Sequence, residues 1–154
     1  MSGRNLMLMY DIVLKQTEYS EILDSLTENS WIVACMCAGW CNACRGYKPE
    51  FMAMAERYPD VRFLWIDIED HADLMDDDLD VDNFPFLLIQ YGDIVNFFSS
   101  VHPDIKQAER LLKNQMEQGF HELKRQAQSN QERLYWQEKC NIKKMLAAAI
   151  HQDD

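Results

Sequence analysis

A chain of 154 residues that is 47% hydrophobic can bury one substantial core. Its formal net charge of −11 argues against nucleic acid and against anionic membrane as partners. No apolar run is long enough to span a bilayer.

The first stretch, residues 5–15, fits either of two elements. Leu6, Met9 and Val13 suit a helix, while Met7 to Leu14 suit an edge strand. The apolar patch Leu6 to Met9 is cut off by Asp11 without a small-residue cleavage site, so no signal peptide is read. Thr17 reads as a helix cap, with Glu18 and Glu21 in the first turn and Tyr19, Ile22, Leu23 and Leu26 on one face. Residues 31–37 form a strand apolar on both faces, as a central parallel strand must be. Trp40-Cys41-Asn42-Ala43-Cys44-Arg45 follows, and then Cys44, Tyr47, Phe51, Met54, Ala55 and Tyr58 recur at helical spacing. The two cysteines therefore fall where a buried strand ends and a helix begins. The positive end of a helix favours a thiolate at Cys41, and Cys44, one turn on, can attack a mixed disulfide formed there.

Pro59-Asp60 closes this helix, Val61 to Ile68 reads as the next strand, and Asp70 caps a short helix over 71–77. Phe84-Pro85 stands directly before the strand Phe86 to Ile89, and Tyr91-Gly92-Asp93 turns it into a hairpin with Ile94 to Phe98. Pro103-Asp104 opens a helix with Ile105, Ala108, Leu112 and Met116 inward. Residues 120–150, without glycine or proline, favour a further helix. Its apolar stripe is interrupted by Gln137 and Asn141. A helix packed on its own domain or on a twin chain is the simpler reading, and a partner-binding arm is the other.

The Cys-x-x-Cys behind Trp40, the helix proline Pro49, Pro85 before its strand and the order strand, helix, strand, helix, hairpin, helix together resemble the thioredoxin family over roughly residues 17–117. The resemblance implies an α/β thioredoxin fold, a central mixed sheet flanked by helices, over residues 1–118, with 119–154 as a C-terminal helical extension. It implies thiol–disulfide oxidoreductase activity, with Cys41 attacking protein disulfides and Cys44 resolving. It also implies a cis Pro85 that forms the docking surface with Trp40 and Phe84, and an upstream reductase as a partner. No organic cofactor and no metal is implied. Five cysteines without an export signal suit a reducing, cytoplasmic setting, where such a pair is redox-active or metal-binding more often than structural.

The chain departs from the family in the Asn42-Ala43 between its cysteines, where Gly-Pro is common, and at three positions of the proton-transfer apparatus. Many thioredoxins hold a buried aspartate six residues before the attacking cysteine, a lysine on the next strand and a tryptophan two residues after the aspartate. Here those positions are Cys35, Phe63 and Cys37. Cys35 and Cys37 share a strand face, and core packing is the expectation for them rather than a four-cysteine metal site with Cys41 and Cys44. The nine carboxylates between Asp67 and Asp82 read as a solvated surface that can rim the active-site groove. The histidines are expected on the surface. A homodimer through the C-terminal helix is one arrangement the extension suggests. The competing function is a non-enzymatic binding module acting through the acidic face and that helix.

Overall fold

The computed structural model describes residues 12–75 and 83–152. Four strands form one mixed sheet: β1 (Trp31–Cys37), β2 (Val61–Asp67), β3 (Phe86–Tyr91) and β4 (Ile94–Ser100), in the order β2-β1-β3-β4. β1 runs parallel to β2, with Cys35 beside Trp65, and antiparallel to β3, with Cys35 beside Leu87. β3 and β4 pair as an antiparallel hairpin through Gly92-Asp93. Gly92 has φ +57°, and a Cβ there would lie 2.3 Å from the Glu28 carbonyl oxygen, so both the turn and the close approach require glycine. The N-terminal segment, either helix or edge strand by its sequence, reaches the sheet as a parallel bridge from Val13 to Trp65. Residues 1–11 lie outside the described part.

β1 alternates between two cores because both its faces are covered. Val33, Cys35 and Cys37 face α2 (Asn42–Arg57) and α3 (Ile105–Met116), where Tyr47, Phe51, Met54, Ala108 and Leu112 meet Phe63, Trp65, Leu87 and Ile89. Asp104 caps α3 by accepting from the Lys106 N–H at 3.0 Å. Met116 is 38% exposed, not inward as its spacing suggested, because α3 has reached its end there.

Ile32, Ala34 and Met36 face the opposite way, toward α1 (Tyr19–Ser25) and the C-terminal residues. Thr17 does not cap α1. It lies inside a 3-10 turn, Gln16–Glu18, that leads into the helix. The extension is three helices rather than one: α4 (Phe120–Ala127), α5 (Gln131–Lys139) and α6 (Ile142–Gln152). Asn130 and Asn141 start α5 and α6, each with its side-chain oxygen accepting from the first-turn N–H groups. Trp136, Ile142, Met145, Leu146 and Ala149 enter the same core as Ile32 and Met36.

The two residues that broke the apolar stripe are the ones that fasten these helices. Gln137 exchanges two hydrogen bonds of 2.8 Å with the N–H and carbonyl of Val95, closing part of the edge of β4 as a neighbouring strand would. Buried Gln90 donates to Asn141 Oδ1 at 2.9 Å and accepts from the Ile142 N–H at 2.9 Å. His71, expected on the surface, is buried. Its Nε2 meets the Leu14 carbonyl at 2.8 Å and its Nδ1 meets the Tyr19 hydroxyl. The short helix expected over 71–77 is a run of turns as far as Met75, and the rest of it lies outside the described residues.

Candidate active site

β1 ends at Cys37, and the chain turns over Ala38, whose carbonyl accepts from the Cys41 N–H at 3.0 Å. Cys41 is the N-cap of α2, extended at φ −86° and ψ 117°, and makes no side-chain capping bond. Its carbonyl accepts from the Arg45 N–H at 3.2 Å, while the Arg45 side chain donates back to the Gly39 carbonyl at 3.2 Å. Cys41 is thus held half-buried at the positive end of a sixteen-residue helix. Cys44 is buried one turn in, on the stripe that continues through Tyr47, Phe51 and Met54.

Resolution by Cys44, as the resemblance implies it, leaves a Cys41–Cys44 bond as product; in the structure Cys44 is joined instead to Cys37, their Cα atoms 5.9 Å apart. That separation is ordinary for a disulfide. Cys41 is a free thiol. Cys37 is therefore not only a packing residue: the last residue of β1 points at the first turn of the helix crossing above it. Spacing within the motif drew attention to Cys41. The signal that would have found Cys37 was its place at the strand end, on the face that α2 covers.

Cys35 lies beneath, fully buried, with its sulfur 3.7 Å from that of Cys37. Burial pushes its thiol pKa well above the ordinary value, so it is protonated at neutral pH. Phe63, at the family's lysine position, packs edge-on against Phe51 with ring centroids 5.3 Å apart and brings no charge. The Tyr47 phenol is buried without a hydrogen-bond partner among the described residues, and burial, then the neighbouring Cys35, Glu50 and Asp104, raise its pKa.

Trp40 is 63% exposed and stands edge-on to half-buried Phe84, centroids 5.7 Å apart. The Phe84–Pro85 bond is cis. Pro85 is itself buried, and its carbonyl accepts from the Val101 N–H at 3.0 Å. The exposed part of the expected docking surface is therefore Trp40 with the edge of Phe84. On the other flank of the loop, a Cβ on Gly39 would lie 3.4 Å from Asp67 Oδ2 and 3.8 Å from Glu69 Oε1. The start of the acidic run thus borders the turn that leads into Cys41, and residues 76–82 of that run lie outside the described part. Among the described residues, no group of three or more His, Cys, Asp or Glu is placed to hold a metal, and no helix is long and apolar enough to cross a membrane.

The family model for thioredoxin matches residues 11–114. The chain belongs to the thioredoxin family. Thioredoxin from Ophiophagus hannah is 39% identical over 66 residues, 43% of this chain and 62% of that protein. Thioredoxin-3, mitochondrial, from Saccharomyces cerevisiae is 29% identical over 65 residues, 42% of this chain and 51% of that protein. The matched stretch thus spans between about half and two-thirds of these thioredoxins. The solved structure of mitochondrial thioredoxin 3 from Saccharomyces cerevisiae, in its oxidised form, superposes with a TM-score of 0.53 at 21% identity, over 66% of this chain and 92% of that one. Chlamydomonas reinhardtii thioredoxin f2 gives a TM-score of 0.57 at 15% identity, over 70% and 97%. These likenesses carry the thioredoxin fold, and the helices beyond the matched region are this chain's addition to it.

Proposed function

We propose that this chain is a thiol–disulfide oxidoreductase acting on protein disulfides, with Cys41 as the attacking thiol and Cys44 as its resolving partner. The observation that carries the reading is the half-buried free thiol of Cys41 at the N-terminus of α2, one turn from a buried cysteine already engaged in a disulfide. The Cys41 thiolate attacks one sulfur of the substrate disulfide, and the other substrate sulfur leaves as a thiolate and takes a proton. Cys44, freed from Cys37 beforehand by two electrons from the upstream reductase, then attacks Cys41 and releases the second substrate thiol. The substrate gains two electrons and the protein is left with a disulfide, which an upstream reductase must reopen.

Trp40 and Phe84 offer the apolar rim on which a substrate segment docks, and Pro85 fixes the loop behind them. Asp67 and Glu69 beside Gly39 favour basic substrates over acidic ones. Free thiols at Cys35, Cys41 and Cys140 suit a reducing compartment such as the cytoplasm. In this proposal residues 1–118 carry the chemistry and 119–154 complete the core beneath it. A twin chain would have to dock on Met116, Phe120, Leu134 and Tyr135, the exposed apolar residues of the C-terminal helices and the end of α3.

The test is insulin disulfide reduction with dithiothreitol as electron donor. Wild type should accelerate precipitation of the insulin B chain, and Cys41→Ser should fall to the uncatalysed rate. Equal rates for the two proteins would sink the enzymatic reading and favour the binding module.

A further inference from the structure

Cys44 has one cysteine before it on its own helix, Cys41 one turn earlier at the surface, and another, Cys37, at the strand end below. We infer that Cys37 is a third exchange thiol, which takes the oxidation from a Cys41–Cys44 bond and stores it as the buried Cys37–Cys44 bond, returning Cys41 to a free thiol. This inference rests on the exchange chemistry proposed above for Cys41 and Cys44.

The step needs no outside oxidant or reductant. The Cys37 thiolate attacks the Cys44 sulfur of a Cys41–Cys44 disulfide. The Cys37–Cys44 bond forms as the Cys41–Cys44 bond breaks, and the electron pair of the broken bond leaves on Cys41. The proton given up by Cys37 is matched by the one Cys41 can take from solvent. Before and after, these three residues hold one disulfide and one thiol. The direction follows from where charge is tolerated. A thiolate at Cys37, 1% exposed among Val33, Tyr47 and Leu87, is desolvated, whereas charge expelled onto Cys41 reaches water and the helix N-terminus. Once the Cys37–Cys44 bond has formed, the charge of the transient thiolate lies on Cys41, where water and the helix N-terminus reach it. Cys35, with its sulfur 3.7 Å from that of Cys37, offers an S–H within hydrogen-bond reach of the attacking sulfur.

The consequence is an oxidised protein whose attacking thiol is still armed. Cys41 can capture a further disulfide while Cys44 is occupied, so the mixed disulfide persists until reductant reopens Cys37–Cys44.

Disulfide mapping tests this on the full chain. Reduced protein is oxidised with one equivalent of diamide, quenched with acid at increasing times, alkylated with N-ethylmaleimide in denaturant and digested with chymotrypsin. Cleavage after Trp40 separates Cys35 and Cys37 from Cys41 and Cys44. The expected course is an early peptide holding an internal Cys41–Cys44 bond, replaced with time by that peptide cross-linked to the Cys37 peptide with Cys41 labelled. Cys37→Ser, with Cys37→Ala as a second variant, should stop at Cys41–Cys44 and lose the labelled Cys41. A wild-type map that ends at Cys41–Cys44 with Cys37 labelled overturns the inference. So does a Cys37–Cys44 bond present from the first time point with no Cys41–Cys44 precursor, which makes it a static staple. Failure of the enzymatic reading is seen separately, in the insulin assay of Cys41→Ser.

Discussion

On one face of the sheet, α2 and α3 lie over Cys35, Cys37, Phe63 and Leu87; on the other, α1, α5 and α6 lie over Ile32, Ala34, Met36 and Leu88. Both faces bury apolar side chains, but the polar bonds that position their helices differ. On the cysteine face, α2 and α3 are tied at the surface, where Arg57 donates to Glu109 Oε1 at 2.7 Å and Tyr58 donates to Glu109 Oε2 at 2.8 Å. On the opposite face a Lys143–Asp93 ion pair of 3.0 Å joins α6 to the hairpin turn, but most ties are buried or half-buried amides: Gln90 to Asn141 and to the start of α6, and Gln137 to the edge of β4. A surface ion pair loses little when broken because water replaces it, whereas a buried amide left without its partner keeps its full desolvation penalty. The cysteine face is therefore closed by packing, the Cys37–Cys44 bond and a surface latch, and the second face by packing and an interior clamp.

The sharpest way to break this comparison is to remove the second face. A chain ending at Gln118 would uncover Ile32, Ala34 and Met36, and it should lose cooperative thermal unfolding followed by circular dichroism. Leu146→Ala is the milder form. Leu146 is fully buried, so this substitution should cost about 2–5 kcal/mol. A melt of the shortened chain superposable on that of wild type would show that α5 and α6 are accessory to the core.

The legibility of the two faces in the sequence follows from the same difference. β1 was readable to the residue because a strand buried on both faces is a continuous apolar run. α2 was readable because Cys44, Tyr47, Phe51 and Met54 keep one stripe, and the hairpin because Gly92 sits at its turn. The three C-terminal helices were not, since Gln137 and Asn141 looked like defects in a single stripe until the sheet edge and Gln90 were beside them. Periodicity records which residues are apolar; it does not record which amides will find partners across some fifty residues. Cys37–Cys44 escaped for a related reason. Sequence spacing favours the nearer pair, while the bond present depends on where the first turn of α2 settles over the end of β1.

Gln90→Leu tests the clamp. It keeps approximate volume but leaves the Ile142 N–H and the Gly92 carbonyl without their Gln90 partner and takes one of three donors from Asn141 Oδ1, at a cost of about 1–3 kcal/mol. Urea denaturation should show the midpoint lowered with the slope unchanged. A neutral result would mean that packing alone holds α6.

Alkaline pH probes one buried thiol on each face. Burial raises the Cys140 pKa from 9.0 to about 12 and pushes that of Cys35 up as well. A group whose native pKa lies above its unfolded value gives stability that is complete below the unfolded value and is lost as pH rises toward the native one. Melting temperature should therefore fall above pH about 9, each thiol contributing at most ~1.4 kcal/mol per pH unit. Cys140→Ala and Cys35→Ala should each flatten that fall while lowering stability at neutral pH through the small cavities they leave. If only one of the two flattens it, the faces differ in how dry they are.

The smallest effect is expected at the surface latch, and its pH dependence has the opposite sense. The hydrogen bond from Arg57 is the main cause holding the Glu109 carboxyl below its ordinary range; Tyr58 helps, and partial burial opposes them. A depressed carboxyl contributes stability that is complete above its unfolded pKa and is lost as pH falls through the native value. Glu109→Gln keeps the shape and removes the charge. Because Arg57 is 47% exposed, the substitution should cost only about 0.2–1 kcal/mol at neutral pH. The difference in melting temperature between the two proteins should shrink as pH falls below 4.5, the ordinary carboxyl value, and 1 M salt should shrink it at pH 7. A difference that does not shrink in acid, or that resists salt, would mean that Glu109 acts through shape and burial, making the latch the same kind of tie as the clamp on the far side of the sheet.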